Sequence, residues 1–334
     1  DSVASRGLGD VYKRQILKGV RMIICFIGLG NVGGKLANNL LENNFQITVL
    51  DKDNKLMEKF KLKGADTAQS IQDLVIIADI LITCLPSPKI CAEVLESKGG
   101  IIDTIQKDQI WIEMSTTEDG QLKRHASLIQ QKNAIALEAP VSGGCHRAAT
   151  GNISIFVGGS REGFDKAMPV LRCLGRKILY TGDFGSASVL KVITNYLATV
   201  HLVALGEAWT IASKSNLDLA KTFKGIAASS GNSFVHETES QVILNGSYNI
   251  NFTMDLVEKD VGLFQSLATK LGVELEISPI VLDIIKDARK TFGDRAWSSM
   301  VVKRLENKHN IKFRAEGYPE ELVDYEEKSL GYEI

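Results

Sequence analysis

Residues Ile23–Asp51 read IICFIGLGNVGGKLANNLLENNFQITVLD, and this stretch decides the fold. Ile23 to Ile27 is short, apolar and partly β-branched, which suits a buried strand. GLGNVG follows, with Gly28, Gly30 and Gly33 at the GxGxxG spacing. Leu36, Ala37, Leu40 and Leu41 then recur at helical spacing. Ile47 to Leu50 is a second apolar strand, closed by Asp51. In a strand–turn–helix that holds a pyrophosphate, each glycine has a task. Gly28 allows the tight turn, Gly30 lets the backbone approach phosphate, and Gly33 lets the helix pack on the strand. The helix N-terminus adds unpaired N–H groups and partial positive charge. An acid at the end of the next strand, Asp51, completes the ribose-binding fingerprint. The competing reading is an ordinary glycine turn in an α/β domain.

Outward from this unit the alternation continues. Helical patterns cover Lys55–Lys63, Ser70–Ile77, Lys89–Ser97, Gln121–Lys132 and Phe164–Leu174. Strands are expected at Ile80–Leu85, Gln109–Glu113, Ala134–Leu137, Ile153–Val157 and Lys177–Tyr180, with Ser115-Thr116-Thr117 as a loop and N-cap. This is the pattern of an α/β, Rossmann-type doubly wound parallel sheet. Strand signals stop near Thr181. Ser186–Ser213 is one long pattern, apolar nearly all round, which marks a buried helix. Helical patterns follow at Leu219–Ala228, Phe234–Leu244, Met254–Leu271, Glu276–Phe292 and Ala296–Asn307. The expected organisation is a dinucleotide-binding domain over 22–183 and an all-helical substrate and dimerisation domain over 184–307. The long helix joins them, the site lies in the cleft between them, and 308–334 forms an extended tail.

Residues 1–21 have no helical or alternating period and no secretory apolar region. The piece RGLGDVYKRQ resembles adapter-derived translations at the ends of some assembled metagenomic sequences; the alternative is a natural disordered arm. Either reading makes 1–21 a non-native or disordered segment and places the first strand directly after Met22.

The chain has 334 residues with 44% hydrophobic and 24% charged content, ordinary for a soluble globular protein of two domains. A formal net charge of −1 supplies no field for nucleic acid or an anionic membrane. No apolar run is read as a membrane span. The five cysteines form no CxxC pair, which points to reduced thiols in a cytoplasm, and the five histidines lack metal-ligand spacing.

Three further stretches carry chemistry. In EAPVSGGCHRAATGNISIFVGG (Glu138–Gly159), Ser142, Gly143 and Gly144 offer a hydroxyl and unshielded backbone N–H groups able to hold a carboxylate. A plain glycine-rich turn is the alternative. Lys191 and Asn195 lie four apart on the greasy long helix, so they share a face. A buried ammonium costs several kcal/mol unless paired or solvated in a cleft, which makes Lys191 a site candidate against a lysine that merely snorkels. Lys259 and Asp260, in MDLVEKDVGLF, read on their own as a solvated helix face.

In this order and spacing the four motifs resemble the β-hydroxyacid dehydrogenase family, which includes 3-hydroxyisobutyrate dehydrogenase and the tartronate-semialdehyde and glyoxylate/succinic-semialdehyde reductases. The resemblance runs from Met22 to about Asn307. It implies that Gly28, Leu29, Gly30, Asn31, Val32 and Gly33 hold the dinucleotide, that Leu85, Pro86 and Thr116 line the cofactor cleft, and that Lys259 lies by the nicotinamide. Ser142, Gly143 and Gly144 would bind the substrate carboxylate, with Asp260 near the substrate. Lys191 would be the general acid/base and Asn195 would orient the substrate. Val32 stands where the family often has Met, and Thr194-Asn195 where many members have Asn-Asn. Thr194 also replaces the histidine expected of the decarboxylating 6-phosphogluconate branch. Imine reductases of related fold usually lack the lysine.

The implied function is interconversion of a small β-hydroxyacid and its semialdehyde or ketone. NAD is expected rather than NADP, since Asp51 would repel a 2′-phosphate and only Lys52 stands beside it. No metal is expected. The apolar long helix suggests a homo-oligomer, a dimer or tetramer as in relatives. One rival is a reductase of a phosphorylated, sulfonated or aromatic semialdehyde, with His146, Arg147 and His236 reading the distal group. The other is a non-catalytic dinucleotide-binding scaffold.

Overall fold

The computed structural model describes residues 22–117 and 119–334; the expectation for residues 1–21 lies outside them. The described chain divides into two compact units. One contains residues 22–143, 148–188 and 327–334; the other contains 144–147 and 189–326.

The first unit is built on a sheet of β1 (Ile24–Ile27), β2 (Ile47–Leu50), β3 (Asp66–Thr67), β4 (Ile80–Thr83), β5 (Ile110–Glu113), β6 (Ile135–Glu138), β7 (Val141–Ser142), β8 (Ser154–Gly159), β9 (Lys177–Gly182) and β10 (Tyr332–Glu333). The strands lie in the order β10-β9-β8-β6-β5-β4-β1-β2-β3, and β7 pairs with β8. Ile24 is in register with Ile47 on one side and Ile80 on the other, both parallel. The chain therefore winds outward from β1 in two directions, so the ends of β1 and β4 form the switch point where such sheets bind ligands. The sheet is parallel except where β8 meets β6 and β7, which it pairs antiparallel. Strands covered on both faces explain the continuous apolar runs: Ile24 and Phe26 enter one core layer, Cys25 and Ile27 the other.

The long helix is Ser186–Lys214. It is followed by helices Leu219–Ala227, Phe234–Asn245, Met254–Leu271 and Ser278–Phe292. Met254–Leu271 ends at Gly272 in the left-handed region, φ +67°, where a residue without Cβ is unstrained. The core of this second unit includes Leu202, Leu205, Trp209, Val257, Ile285 and Phe313.

Three expectations need correction. Ala296–Asn307 is not one helix: a 3-10 turn, Ser298–Val301, precedes a short helix, Lys303–His309. Ser298 donates its N–H to Phe252 O and Ser299 its hydroxyl to Tyr248 O, so contacts with a distant loop break the local period. The long helix is, by length and composition, apolar enough to cross a membrane, although no such run was read from the sequence. It is also not buried all round: Ile193, Leu197, His201, Ala204, Ala208 and Ile211, spaced three or four apart, form an exposed stripe. The tail, expected to be extended, is anchored at several points. Phe313 and Arg314 are held by Glu306, Ala315 by Leu244 O, and the last residues add β10 to the edge of the sheet.

Candidate active site

The glycine loop behaves as two kinds of glycine. Gly28 has φ +99°, and a Cβ there would stand 2.3 Å from Cys84 O. A Cβ on Gly33 would stand 2.1 Å from Gly28 O. Both are therefore demanded by the protein's own packing. Gly30 is not: it is exposed, and a Cβ there meets nothing within 4 Å. Open space beside a glycine at this position fits a group from outside the chain, as a pyrophosphate cradle requires. Asn31 is exposed beside it, and Val32 precedes the first turn of the helix Gly33–Glu42. Asp51 already shapes the loop. One carboxylate oxygen accepts the Leu29 N–H at 2.6 Å and the other accepts the Asp53 N–H at 2.9 Å.

Leu85 and Pro86 follow β4 at the same switch point, and Thr116 follows the neighbouring strand β5. Their loops are held by a buried network absent from the sequence reading. Glu113, at the end of β5, accepts the Thr83 hydroxyl at 2.9 Å and the Ser115 N–H at 2.8 Å. Trp111 Nε1 donates to Thr83 Oγ1 at 2.9 Å, and Leu85 N–H donates to Ser115 Oγ at 2.7 Å. Burial pushes the Glu113 carboxyl upward, against the donors around it.

In the second motif, Ser142 ends β7, and Gly143 and Gly144 have φ +131° and +86°. Two successive residues in conformations that disfavour a side chain leave backbone N–H groups unshielded, as an anion nest requires. The helix Gly144–Thr150 follows and carries His146 and Arg147. The His146 ring stacks on Phe234 at 6.5 Å between centroids, and Arg147 lies 5.1 Å over the same ring and 3.6 Å from Glu326. His236 is no distal-group reader. It is fully buried against Phe223 and Trp209, with Nε2 2.9 Å from Phe223 O.

The second unit gathers the remaining candidates into one line. Lys191 Nζ donates to Asn195 Oδ1 at 2.6 Å, Asn195 Nδ2 donates to Asp260 Oδ2 at 2.6 Å, and Lys259 Nζ lies 2.7 Å from Asp260 Oδ1. Helical spacing brings the first pair together. Packing of the long helix on Met254–Leu271, marked by Tyr196 stacked on Phe264 at 4.0 Å, brings the second. Lys191 is 7% exposed, so it does not snorkel. Its pKa is lowered from 10.5 to about 8, first by burial, with Asp260 opposing and Lys259 assisting. Lys259 lowers it by like-charge repulsion, but burial is the larger cause. Asp260 is buried, with its oxygens turned to Asn195 and Lys259.

Residues 23–182 match the profile of the NAD-binding domain of 6-phosphogluconate dehydrogenase, and residues 185–305 match that described as NAD-binding of NADP-dependent 3-hydroxyisobutyrate dehydrogenase. The mitochondrial 3-hydroxyisobutyrate dehydrogenase of Rattus norvegicus is 31% identical over 283 residues, covering 82% of this chain and 84% of the relative. The chain belongs to the β-hydroxyacid dehydrogenase family. The 2-(hydroxymethyl)glutarate dehydrogenase of Eubacterium barkeri is 29% identical, covering 84% of this chain and 93% of that one. Among solved structures, Mycobacterium tuberculosis 3-hydroxyisobutyrate dehydrogenase with L-serine superposes with a TM-score of 0.76 at 25% identity. It covers 86% of this chain and 99% of that one. For a β-hydroxyacid dehydrogenase, the residues that local reading missed are the carboxylates Glu113 and Glu138. Each closes a strand, but its partners come from chain segments with no sequence signal linking them to it.

Proposed function

We propose that this NAD(P)-dependent family member interconverts a small β-hydroxyacid and its semialdehyde or ketone, with Lys191 as general acid/base. The observation that carries this is a buried lysine, its pKa lowered to about 8, hydrogen-bonded to Asn195 at 2.6 Å. A group titrating there holds both protonation states near neutral pH, which is what a proton shuttle needs. When bound, the nicotinamide supplies the hydride acceptor for oxidation and the donor for reduction. In oxidation neutral Lys191 keeps one N–H on Asn195 Oδ1 and offers its lone pair to the substrate hydroxyl proton. In reduction the ammonium gives that proton to the carbonyl oxygen. Asn195, held in turn by Asp260, fixes the orientation of Nζ. Ser142, Gly143 and Gly144 would take the substrate carboxylate, in keeping with the hydroxyacids in the relatives' names. A non-catalytic scaffold has no use for such a lysine.

The glycine loop and Asp51 would hold the dinucleotide, with Leu85, Pro86 and Thr116 along the cleft and Lys259 by the nicotinamide. NAD is the preferred form, because a carboxylate at Asp51 accepts from ribose hydroxyls and repels a 2′-phosphate. The exposed stripe from Ile193 to Ile211 supports burial against a second copy, hence a homo-oligomer. Light scattering at micromolar concentration tests this, and a monomeric mass rejects it. A reducing, cytoplasmic setting suits five cysteines outside any disulfide.

The deciding experiment is NAD reduction with a hydroxyacid panel across pH. The rate of oxidation should rise through one apparent pKa near 8, and the limb should vanish in Lys191→Ala with a loss of about 10²–10⁴-fold. A retained limb would move the role to another group.

A further inference from the structure

Glu138 opens the EAPVSGG motif, yet nothing in the proposed chemistry uses it. It is the last residue of β6, directly before the segment that leads to Ser142 and Gly143, and it is fully buried. Among the described residues no cation pairs with it. Instead its carboxylate gathers the start of the long helix. Oε1 accepts the Gly185 N–H at 2.6 Å and the Ala187 N–H at 2.8 Å. Oε2 accepts the Ser188 N–H at 3.2 Å and the Ser188 hydroxyl in a shorter bond. The first N–H groups of a helix have no intrahelical acceptor, and a negative group there also meets the positive end of the helix dipole. Helices are usually capped by a residue adjacent in sequence. Here the cap comes from a distant strand. Gly158 makes room for it: a Cβ there would lie 2.3 Å from Glu138 Oε1. The first glycine of the pair that ends β8 thus has a reason in the packing of this carboxylate.

Lys191 is three residues beyond Ser188, about 4.5 Å further along the same helix. If the first turn frays, Lys191 falls in the new terminal turn, where water reaches it. We propose that Glu138 is a positioning residue, whose carboxylate caps the long helix from the end of β6 and so holds Lys191 one turn inside that helix. This rests on the reading of Lys191 as the general acid/base. The groups that face Lys191 are Asn195, Asp260 and Lys259. All three lie beyond the capped turn, so removing the cap changes the burial of the lysine and leaves its charged neighbours in place.

The test compares Glu138→Gln and the milder Ser188→Ala with the unaltered chain. Glu138→Gln keeps the shape but turns an NH2 toward N–H donors. Ser188→Ala removes only the hydroxyl. The first readout is the rate of lysine acetylation at Lys191 against pH, followed by mass spectrometry. The apparent pKa should move from about 8 toward 10.5. It should move by about one unit in Glu138→Gln and less in Ser188→Ala. Amide exchange at Ala187 and Ser188 should speed up in parallel. In turnover, the oxidation limb should shift to higher pH by the same amount, lowering the rate at pH 8 about fivefold or more. Binding of reduced NAD, followed by nicotinamide fluorescence, should stay within about twofold, because the glycine loop lies on β1. A folded Glu138→Gln, or Ser188→Ala if the former does not fold, with unchanged Lys191 reactivity and a lower Tm overturns the proposal. The two readings fail separately. If the acetylation profile shifts but Lys191→Ala keeps the turnover limb, the cap stands and the catalytic assignment falls.

Discussion

Replacing Lys191 by Met should destroy activity and stabilise the protein at neutral pH. The folded state holds Lys191 at a pKa of about 8 against an ordinary 10.5. At pH 7 this penalty is worth about 3 kcal/mol. The sign follows from the shift. A lysine depressed on folding binds its proton more weakly in the native state, so the penalty is complete below about pH 8 and fades as pH rises to 10.5. Met fills similar space without the charge, but it leaves Asn195 Oδ1 without the Lys191 donor, a loss of about 1 kcal/mol. The net gain should be about 1–2 kcal/mol at pH 7, or several degrees in Tm. Above about pH 10.5 only the lost hydrogen bond remains, so the variant should be slightly less stable than the parent. Urea unfolding at both pH values measures the difference. A variant destabilised at pH 7, or shifted equally at both pH values, would refute the claim that Lys191 is held against its preferred charge.

Gly30→Ala should leave Tm unchanged, because a Cβ there meets no protein atom, yet weaken dinucleotide binding about tenfold or more; equal binding by fluorescence titration would empty the cradle reading. Asp51→Ala should narrow the preference for NAD over NADP, and comparable kcat/KM for the two cofactors in the parent would reject the preference itself. Glu239 has a sealed Oε2 with no hydrogen-bond partner, and burial raises its pKa from 4.5 to about 8. A carboxyl raised on folding favours the native state at low pH and loses that contribution as pH climbs through 8. Glu239→Gln should therefore be the more stable chain at pH 8.5, by about 4 kcal/mol, and level with the parent at about pH 4, by urea midpoint.

The central strands were readable because they are covered on both faces, so they appear as apolar runs such as ICFI or ILIT. The boundaries of Met254–Leu271 were readable because Gly272 stops it locally. Local signals failed where partners are remote. Tyr332 and Glu333 have no strand pattern of their own and become β10 only by pairing with Lys177 and Ile178. His236 looks like a polar helix residue until Phe223 and Trp209 close around it. At the site, the spacing of Lys191 and Asn195 placed them on one helix face. Their link to Asp260 depends on how two helices pack, which no local window of residues contains.

The added strand β10 also has a bearing on solubility. Without it, the outer edge of β9 would present unpaired backbone groups flanked by Ile178 and Tyr180, a template for another chain. The tail covers that edge closely: a Cβ on Gly331 would stand 1.9 Å from Gly175 O, and Arg161 grips Glu333 at 2.6 and 3.0 Å. The guarding strand is separated from the strand it guards by the whole helical unit. A nick anywhere in that unit would leave the edge held only by non-covalent contacts, and would turn a proteolytic scar into a site of aggregation.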